Sequence, residues 1–359
     1  MATYATDIAV IIPVFNEGST IRGTIGALRR AAFSLSEVYV CNDASTDDTL
    51  EHARATGVNV YDAPKNGGKA AVLRDGLRYF ELFRRYRWVI FLDGDTKVRP
   101  DFLAAMLRAA NASENRGSNR ADLFVGQVQS TRESTLFSAL RSFDYTYGQD
   151  VAKTGQSNWG VIFVSPGCAS MYRTSMLRDL HIASDTLAED MDLTLQVHAK
   201  KGRVVYVPDA IVLTQDPGTL HDYFKQMMRW YRGFWQVVRK YKIFSWRQNM
   251  RVAWYMRFLV FDALFCNRIA GFALASSFSL SYLLVGLAMD FSVAGCIAAW
   301  AAYRTRRWDT LYKFPLYYWV AYVNLAAVMR SFFEVMVLRR NTLDWNKVQR
   351  REFVSSTVA

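Results

Sequence analysis

The sequence predicts an α/β fold, a mixed sheet with helices on both faces, followed by interfacial and membrane-spanning helices. Three observations carry this. Strand-like and helix-like segments alternate along roughly the first hundred residues, the pattern of a parallel sheet. Polar clusters stand at the carboxyl ends of the strand-like runs, where open α/β sheets bind their ligands. Beyond Tyr241 the chain becomes apolar and basic together, the composition of a protein held on the cytoplasmic face of an anionic membrane. With 359 residues there is chain enough for one large or two smaller cores without disulfide staples.

Residues 8–15 (IAVIIPVF), 37–43 (EVYVCND), 58–63 (VNVYDA) and 88–95 (WVIFLDGD) are β-branched and aromatic runs ending in polar or glycine residues, and each predicts a strand. Between them Ile21, Ile25 and Leu28, then Val72, Leu73, Leu77 and Phe80, recur at helical spacing. ENRGSN, 114–119, reads as a surface loop. LFVGQVQ, 123–129, predicts a further strand, and RVVYVP and AIVL within 203–213 predict a strand pair. DTLAEDMDLTL leads into a helix carrying Leu193, Leu195 and Val197.

Residues 269–303 form a 35-residue run interrupted only by Asp290, and 314–338 form another that contains Arg330 and Glu334. Both exceed the about 20 apolar residues that span a bilayer. Arg304, Arg306 and Arg307, and the tail residues Arg339, Arg340, Arg350 and Arg351, read as cytoplasmic by the positive-inside rule. If both groups are inside, 269–303 is a hairpin turning near Gly286 to Asp290 and 314–338 is re-entrant or interfacial. If each run crosses once, the Arg304 loop lies outside. The expected organisation is a cytosolic α/β domain over 1–220, amphipathic interface helices over 221–250, a membrane region over 251–340 and a basic cytosolic tail over 341–359. That describes an integral membrane protein of the plasma or inner membrane with its catalytic domain in the cytosol.

The net charge of +12 is unevenly spread. From Lys225 onward 20 basic residues face 6 acidic ones, an excess of +14, while the remainder carries 24 against 26, or −2. Basicity therefore accompanies the apolar runs, and no nucleic-acid-binding signature goes with it. Cys41, Cys168, Cys266 and Cys296 lack CxxC spacing, which argues against a zinc site or a disulfide framework. The four histidines are scattered, and MATYATD with the short run after it is not a signal peptide.

Asp93-Gly94-Asp95 places two carboxylates where the chain leaves a strand, a pair that can hold a hard divalent cation whose other positions take phosphate oxygens. An ordinary acidic turn looks the same in isolation. Asp43 ends the second strand, and Lys69 opens a helix after a glycine turn, so a carboxylate for a nucleoside and a cation for a diphosphate join the pair. Glu189-Asp190 is either a dipole complement at a helix start or a general base for an attacking hydroxyl. In QMMRW, Gln226, Arg229 and Trp230 stand at i, i+3 and i+4 and share a helix face.

The ordered set VIIPVFNE, Asp43, Lys69, DGD, Gly167-Cys168-Ala169-Ser170-Met171-Tyr172-Arg173, AED and QMMRW resembles the family 2 glycosyltransferases of GT-A fold. More narrowly it is similar to their membrane-embedded branch, the synthases of cellulose, chitin, hyaluronan and poly-N-acetylglucosamine. The resemblance covers about residues 8–240. It implies a UDP-sugar donor, a glycan or lipid acceptor, Mg²⁺ or Mn²⁺ as cofactor, and a bilayer as partner. It also implies roles. Pro13, Phe15, Glu17 and Asp43 line the uridine pocket, Lys69 reaches the diphosphate, Asp93 contacts the nucleotide sugar and Asp95 binds the metal. Gly167, Cys168 and Glu189 border the acceptor, and Asp190 is the base. Gln226, Arg229 and Trp230 close the far side, Arg229 near the diphosphate and Trp230 stacked on the acceptor sugar.

The usual TED tripeptide is here Ala188-Glu189-Asp190, which keeps the base. The N-terminal membrane helices of many polymer synthases have no counterpart, so processive secretion and transfer of one or a few sugars both stand as readings. Asp344-Trp345-Asn346-Lys347-Val348-Gln349-Arg350 faintly resembles a gating segment of such synthases.

Overall fold

The computed structural model describes residues 3–131, 140, 143–217, 219–265, 267–306 and 308–343. The Asp344–Arg350 segment, Arg351 and Cys266 lie outside the described residues. The chain forms two compact units, leaving the first after Thr131, returning to it at Lys153 and leaving it again after Gln215.

The first unit is built on one sheet of eight strands: β1 Ile8–Val14, β2 Val38–Asn42, β3 Asn59–Asp62, β4 Trp88–Phe91, β5 Lys97–Val98, β6 Leu123–Ser130, β7 Ser170–Arg173 and β8 Val204–Thr214. Their order is β3-β2-β1-β4-β7-β6-β8-β5. The half containing β1 to β4 is parallel, as the alternation of strands and helices predicts. The other half is mixed: β7 runs antiparallel between β4 and β6, β8 runs parallel to β6, and β5 antiparallel to β8.

RVVYVP and AIVL are one strand and not a pair. Register with β6 slips between Gly126 and Gln127, so Pro208, Asp209 and Ala210 have no register partner there. A bulge is where a strand tolerates a proline, whose missing N–H would otherwise break the ladder. The sequence therefore shows a break where the backbone continues.

β1 is buried on both faces over all seven residues, which is why it reads as an uninterrupted apolar run. Its Ala9 and Ile11 join Ala70, Leu73 and Leu77 of helix α3 in the main core. The longer helices of this unit are α1 Gly18–Arg30, α2 Thr49–Arg54, α3 Lys69–Tyr79, α4 Phe102–Glu114, α5 Ala152–Trp159 and α6 Glu189–Ala199. α3 lies so close to β2 that a Cβ on Gly76 would fall 2.2 Å from Cys41 Sγ. Cys41 and Cys168 are buried free thiols, and Cys296 is exposed.

The second unit is helical: α7 Leu220–Lys240, α8 Met250–Phe265, α9 Asn267–Phe278, α10 Leu280–Thr305 and α11 Tyr317–Phe332, which continues into a π-helical turn, Phe333–Val337. Thr219 caps α7 by accepting from the Asp222 amide at 3.1 Å. α7 packs along α11, and polar groups fix the contact. Tyr223 donates to Asn324 Oδ1 (2.8 Å), Trp235 Nε1 to the Val328 carbonyl (3.2 Å), and Arg232 Nε meets Glu334 Oε2 (2.7 Å).

The break in the 269–303 run corrects the hairpin expected near Gly286 to Asp290. Helix α10 runs straight through those residues, and the chain turns at Ser279, whose side chain accepts from the Tyr282 amide and starts α10 as its N-cap. α9 and α10 pack against each other across that turn. Asp290, the one charge in the run, accepts from Tyr318 Oη at 2.9 Å. Leu280–Arg304 and Asp309–Val337 are long and apolar enough to cross a membrane, with mean hydropathies of 1.8 and 1.4, and both expose most of their surface.

Candidate active site

Strand β4 stops at Phe91, and Asp93-Gly94-Asp95 follow in the turn. Glycine is needed at 94 for space: a Cβ there would lie 2.7 Å from Val14 Cγ1 and 2.9 Å from Glu17 Oε2. Asp95 is buried and Asp93 is partly exposed. Beside them Asp43, just past β2, spends both carboxylate oxygens on the turn before α3, accepting from the Gly67 and Gly68 amides at 2.8 Å each. That turn delivers Lys69 as the first residue of α3.

Lys69 Nζ stands 2.7 Å from Asp93 Oδ1 and 3.0 Å from Glu189 Oε1. Three residues predicted for one site, carried by three separate elements, are thereby brought together. Burial disfavours the Lys69 ammonium, but the Asp93 and Glu189 carboxylates outweigh it and hold its pKa well above the usual lysine range. Gly167 makes room for this cluster, since a Cβ on it would fall 2.6 Å from Lys69 Nζ. Cys168 next to it is buried, and burial with the Asp93 charge pushes its thiol far up, so it stays neutral.

Asp190 sits in the first turn of α6, half-buried, with Oδ1 accepting from the Met191 amide at 2.7 Å. Burial, reinforced by Glu189, pushes its carboxyl up to about 6, against the pull of Lys69. Its backbone carbonyl accepts from Thr194 Oγ1 at 2.7 Å. Thr194 Oγ1 in turn accepts from the Ser165 amide at 3.0 Å, tying α6 to the segment that carries Gly167 and Cys168. Ser165, Thr194 and Lys153, whose ammonium donates to the Val164 carbonyl, were not singled out by the sequence. Hydroxyls and a lone lysine in a polar stretch carry no recognisable pattern.

Pro13 lies buried within β1, and Phe15 and Glu17 are half-buried just beyond it. The Glu17 amide donates to Thr49 Oγ1 at 2.7 Å and its carboxylate accepts from Thr20 Oγ1 at 3.1 Å. Gln226, Arg229 and Trp230 belong to α7 in the second unit. They grade from buried Gln226 through half-buried Arg229 to Trp230, which is 41% exposed. Among the described residues, the buried Oε1 of Gln226 has no hydrogen-bond partner.

Residues 5–233, well over half of the chain, match the family described as glycosyltransferase like family 2. The chain belongs to that family. Poly-β-1,6-N-acetyl-D-glucosamine synthase of Staphylococcus epidermidis is 23% identical to this glycosyltransferase over 356 residues, 90% of this chain and 82% of that one. The enzyme of the same name from Staphylococcus aureus (strain COL) is 24% identical over 254 residues, 69% of this chain and 59% of that one. Among solved structures, the mannosyltransferase PcManGT from Pyrobaculum calidifontis in complex with GDP-Man and Mn²⁺ is similar at a TM-score of 0.62 and 18% identity, covering 94% of this chain and 89% of that one. That likeness is one of fold, and it makes the GT-A expectation the fold of this glycosyltransferase.

The donor atoms suit a hard divalent cation. Asp95 offers carboxylate oxygen, and among the described residues no cluster of three or more His, Cys, Asp or Glu side chains could hold a metal by itself. Such a site matches Mg²⁺ or Mn²⁺ held by one or two carboxylates and completed by substrate phosphates and water. It does not match an all-protein cage.

Proposed function

We propose that this glycosyltransferase transfers a sugar from a UDP-sugar to a hydroxyl of a glycan acceptor in one inverting step, building a β-linked chain. UDP-N-acetylglucosamine is the donor to try first, because that sugar is named in the product of the staphylococcal relatives. The observation that carries the reading is the Lys69 ammonium held between Asp93 and Glu189, with Asp190 following directly in the chain. It joins a cation for the donor's phosphates to an acceptor-side carboxylate and a base.

In this mechanism Asp190 takes the proton of the acceptor hydroxyl as its oxygen attacks the anomeric carbon. The bond from that carbon to the diphosphate oxygen breaks on the opposite face, and UDP departs with the bonding pair. Lys69 and Arg229 offset the charge growing on the leaving group. Asp95 would hold the Mg²⁺ or Mn²⁺, which when bound supplies further neutralisation of the diphosphate. Pro13, Phe15, Glu17 and Asp43 bind the uridine end, Gln226 contributes to the nucleotide-sugar pocket, and Trp230 holds the acceptor sugar through the apolar face of its ring. Gly167 and Cys168 form the wall beside it.

The two long apolar helices and the basic excess around them support integration in a membrane, with the catalytic unit on the cytoplasmic side. A lipid acceptor receiving one or a few sugars is the alternative, in keeping with the two candidate spans found among the described residues. Incubating the detergent-solubilised protein with Mn²⁺ and a panel of nucleotide sugars, then separating UDP, lipid-linked and polymeric products, decides between them. Asp190→Asn should lower kcat by about 10³-fold with UDP affinity unchanged. Retained turnover in that variant would remove Asp190 from its role.

A further inference from the structure

The carboxylate of Asp150 is buried in the π-helical turn Thr146–Val151, where it accepts from Trp300 Nε1 at 3.0 Å and from Arg304 Nε at 3.2 Å. Lys153, three residues further along the chain, belongs to the first unit. A bilayer crossing takes about 20 residues, so Asp150 stands on the same side of a membrane as that unit. Its two partners stand at the end of α10 and are held there with it. Parting Arg304 from Asp150 would leave a buried carboxylate without its cation, which is strongly unfavourable.

α11 is tied to the same side. α7 begins at Leu220, shortly after the chain leaves the first unit at Gln215, and carries charged side chains from Asp222 through Arg229 to Lys240. An amphipathic helix with such a face lies in the membrane surface and does not pass through it. α11 and the turn after it are fixed to α7 at intervals. Tyr223 meets Asn324, Arg232 meets the Glu334 carboxylate at 2.7 Å, and Arg239 donates to the Val335 carbonyl at 2.8 Å. Trp319 and Tyr322 of α11 are exposed, and these are the residue types that collect at headgroup level.

Between these fixed parts, the chain from Ile269 to Met289 holds no charged residue and makes the α9–α10 turn. Phe278 and Leu280, on either side of that turn, are 74% and 68% exposed. The serines there spend their hydroxyls inside the chain. Ser276 and Ser277 donate to the Ala273 and Leu274 carbonyls at 2.7 Å each, while Ser279 accepts from the Tyr282 amide. Hydrocarbon demands such internal satisfaction and water does not.

We infer that these helices form a one-sided anchor: the α9–α10 turn is buried in lipid hydrocarbon, α10 returns to the side of the first unit, and α11 lies along that surface without crossing. This rests on the membrane integration proposed above. Of the two arrangements open to the sequence it is the one with both arginine groups on one side, since Arg339 and Arg340 follow α11 directly. The hairpin turns at Ser279.

The test uses the full chain in sealed inner-membrane vesicles, right-side-out or inverted, on a background carrying Cys266→Ser and Cys296→Ser. Glu51→Cys, on exposed α2, marks the side of the first unit, and Tyr312→Cys, at a residue 72% exposed between α10 and α11, reports on the return. A membrane-impermeant maleimide should label both variants in the same vesicle type, and labelling of both should be lost in the other. Labelling of the two from opposite sides overturns the inference. Leu284→Cys carrying an environment-sensitive fluorophore should be quenched by lipids brominated in their acyl chains and not by aqueous iodide. Quenching by iodide overturns burial in lipid; quenching by neither does so too, and assigns the cover to a second copy of the chain. Elution in detergent at the wild-type volume qualifies each variant, with Trp308→Cys and Val285→Cys repeating the two readings where one fails. Release of the wild-type protein by alkaline carbonate overturns the membrane reading itself, and this inference with it.

Discussion

Asp190 carries a carboxyl group raised by burial and by its neighbour Glu189 to about 6. A base works only when deprotonated, so kcat/KM should be level above that value and fall about tenfold per pH unit below it. Initial rates of UDP release across that range check the sign; a rate that holds steady below pH about 5 would mean another group takes the proton. Asp93, Lys69, Glu189 and Asp190 were legible in the sequence because each is a charged residue at the end of a strand or the start of a helix. Lys153 was not, since nothing in a sequence separates a lysine that will be buried from one that will face water. Asp43 was legible as a site residue, yet its carboxylate is engaged with the Gly67 and Gly68 amides that set the approach of Lys69.

At the scale of elements, periodicity located β1 to β4 and the helices between them, because a strand buried on both faces and an amphipathic helix leave distinct patterns. Among the features that escaped it, two have a cause visible in the chain. The bulge in β8 hid one strand behind Pro208, and Ser279 merged two helices into one apolar run because a serine barely lowers mean hydropathy. The packing of α3 on β2 gives an element-level prediction. Gly76→Ala would drive a Cβ to 2.2 Å from Cys41 Sγ and 3.4 Å from Ile11 Cδ1. Overpacking of this kind costs about 1–3 kcal/mol, so the unfolding temperature should drop by several degrees while the donor KM changes little. An unchanged unfolding temperature would show that α3 can retreat from the sheet.

Over the whole molecule, charge is divided along the chain: a small acidic excess lies before Lys225 and the basic excess runs from Lys225 onward. Apolar helices and basic residues hold a protein to a membrane differently, and salt distinguishes them. At about 1 M salt the Debye length shrinks to about 3 Å and surface attraction is lost, so a chain held by Leu280–Arg304 and Asp309–Val337 should stay with the vesicles. Release by salt alone would assign the attachment to the arginines. The chain's path was not legible from composition, since the first excursion into the second unit, ending at Ala152, interrupts the sequence between β6 and β7.

That path bears on synthesis. β6 is complete once Ser130 has left the ribosome, but both strands that flank it, β7 and β8, arrive only after the chain has visited the second unit and come back. Until Thr214 emerges, β6 presents unpaired backbone edges, the surface that invites other chains to pair. A nascent chain halted before β8 should therefore be far more prone to aggregate than one halted after it.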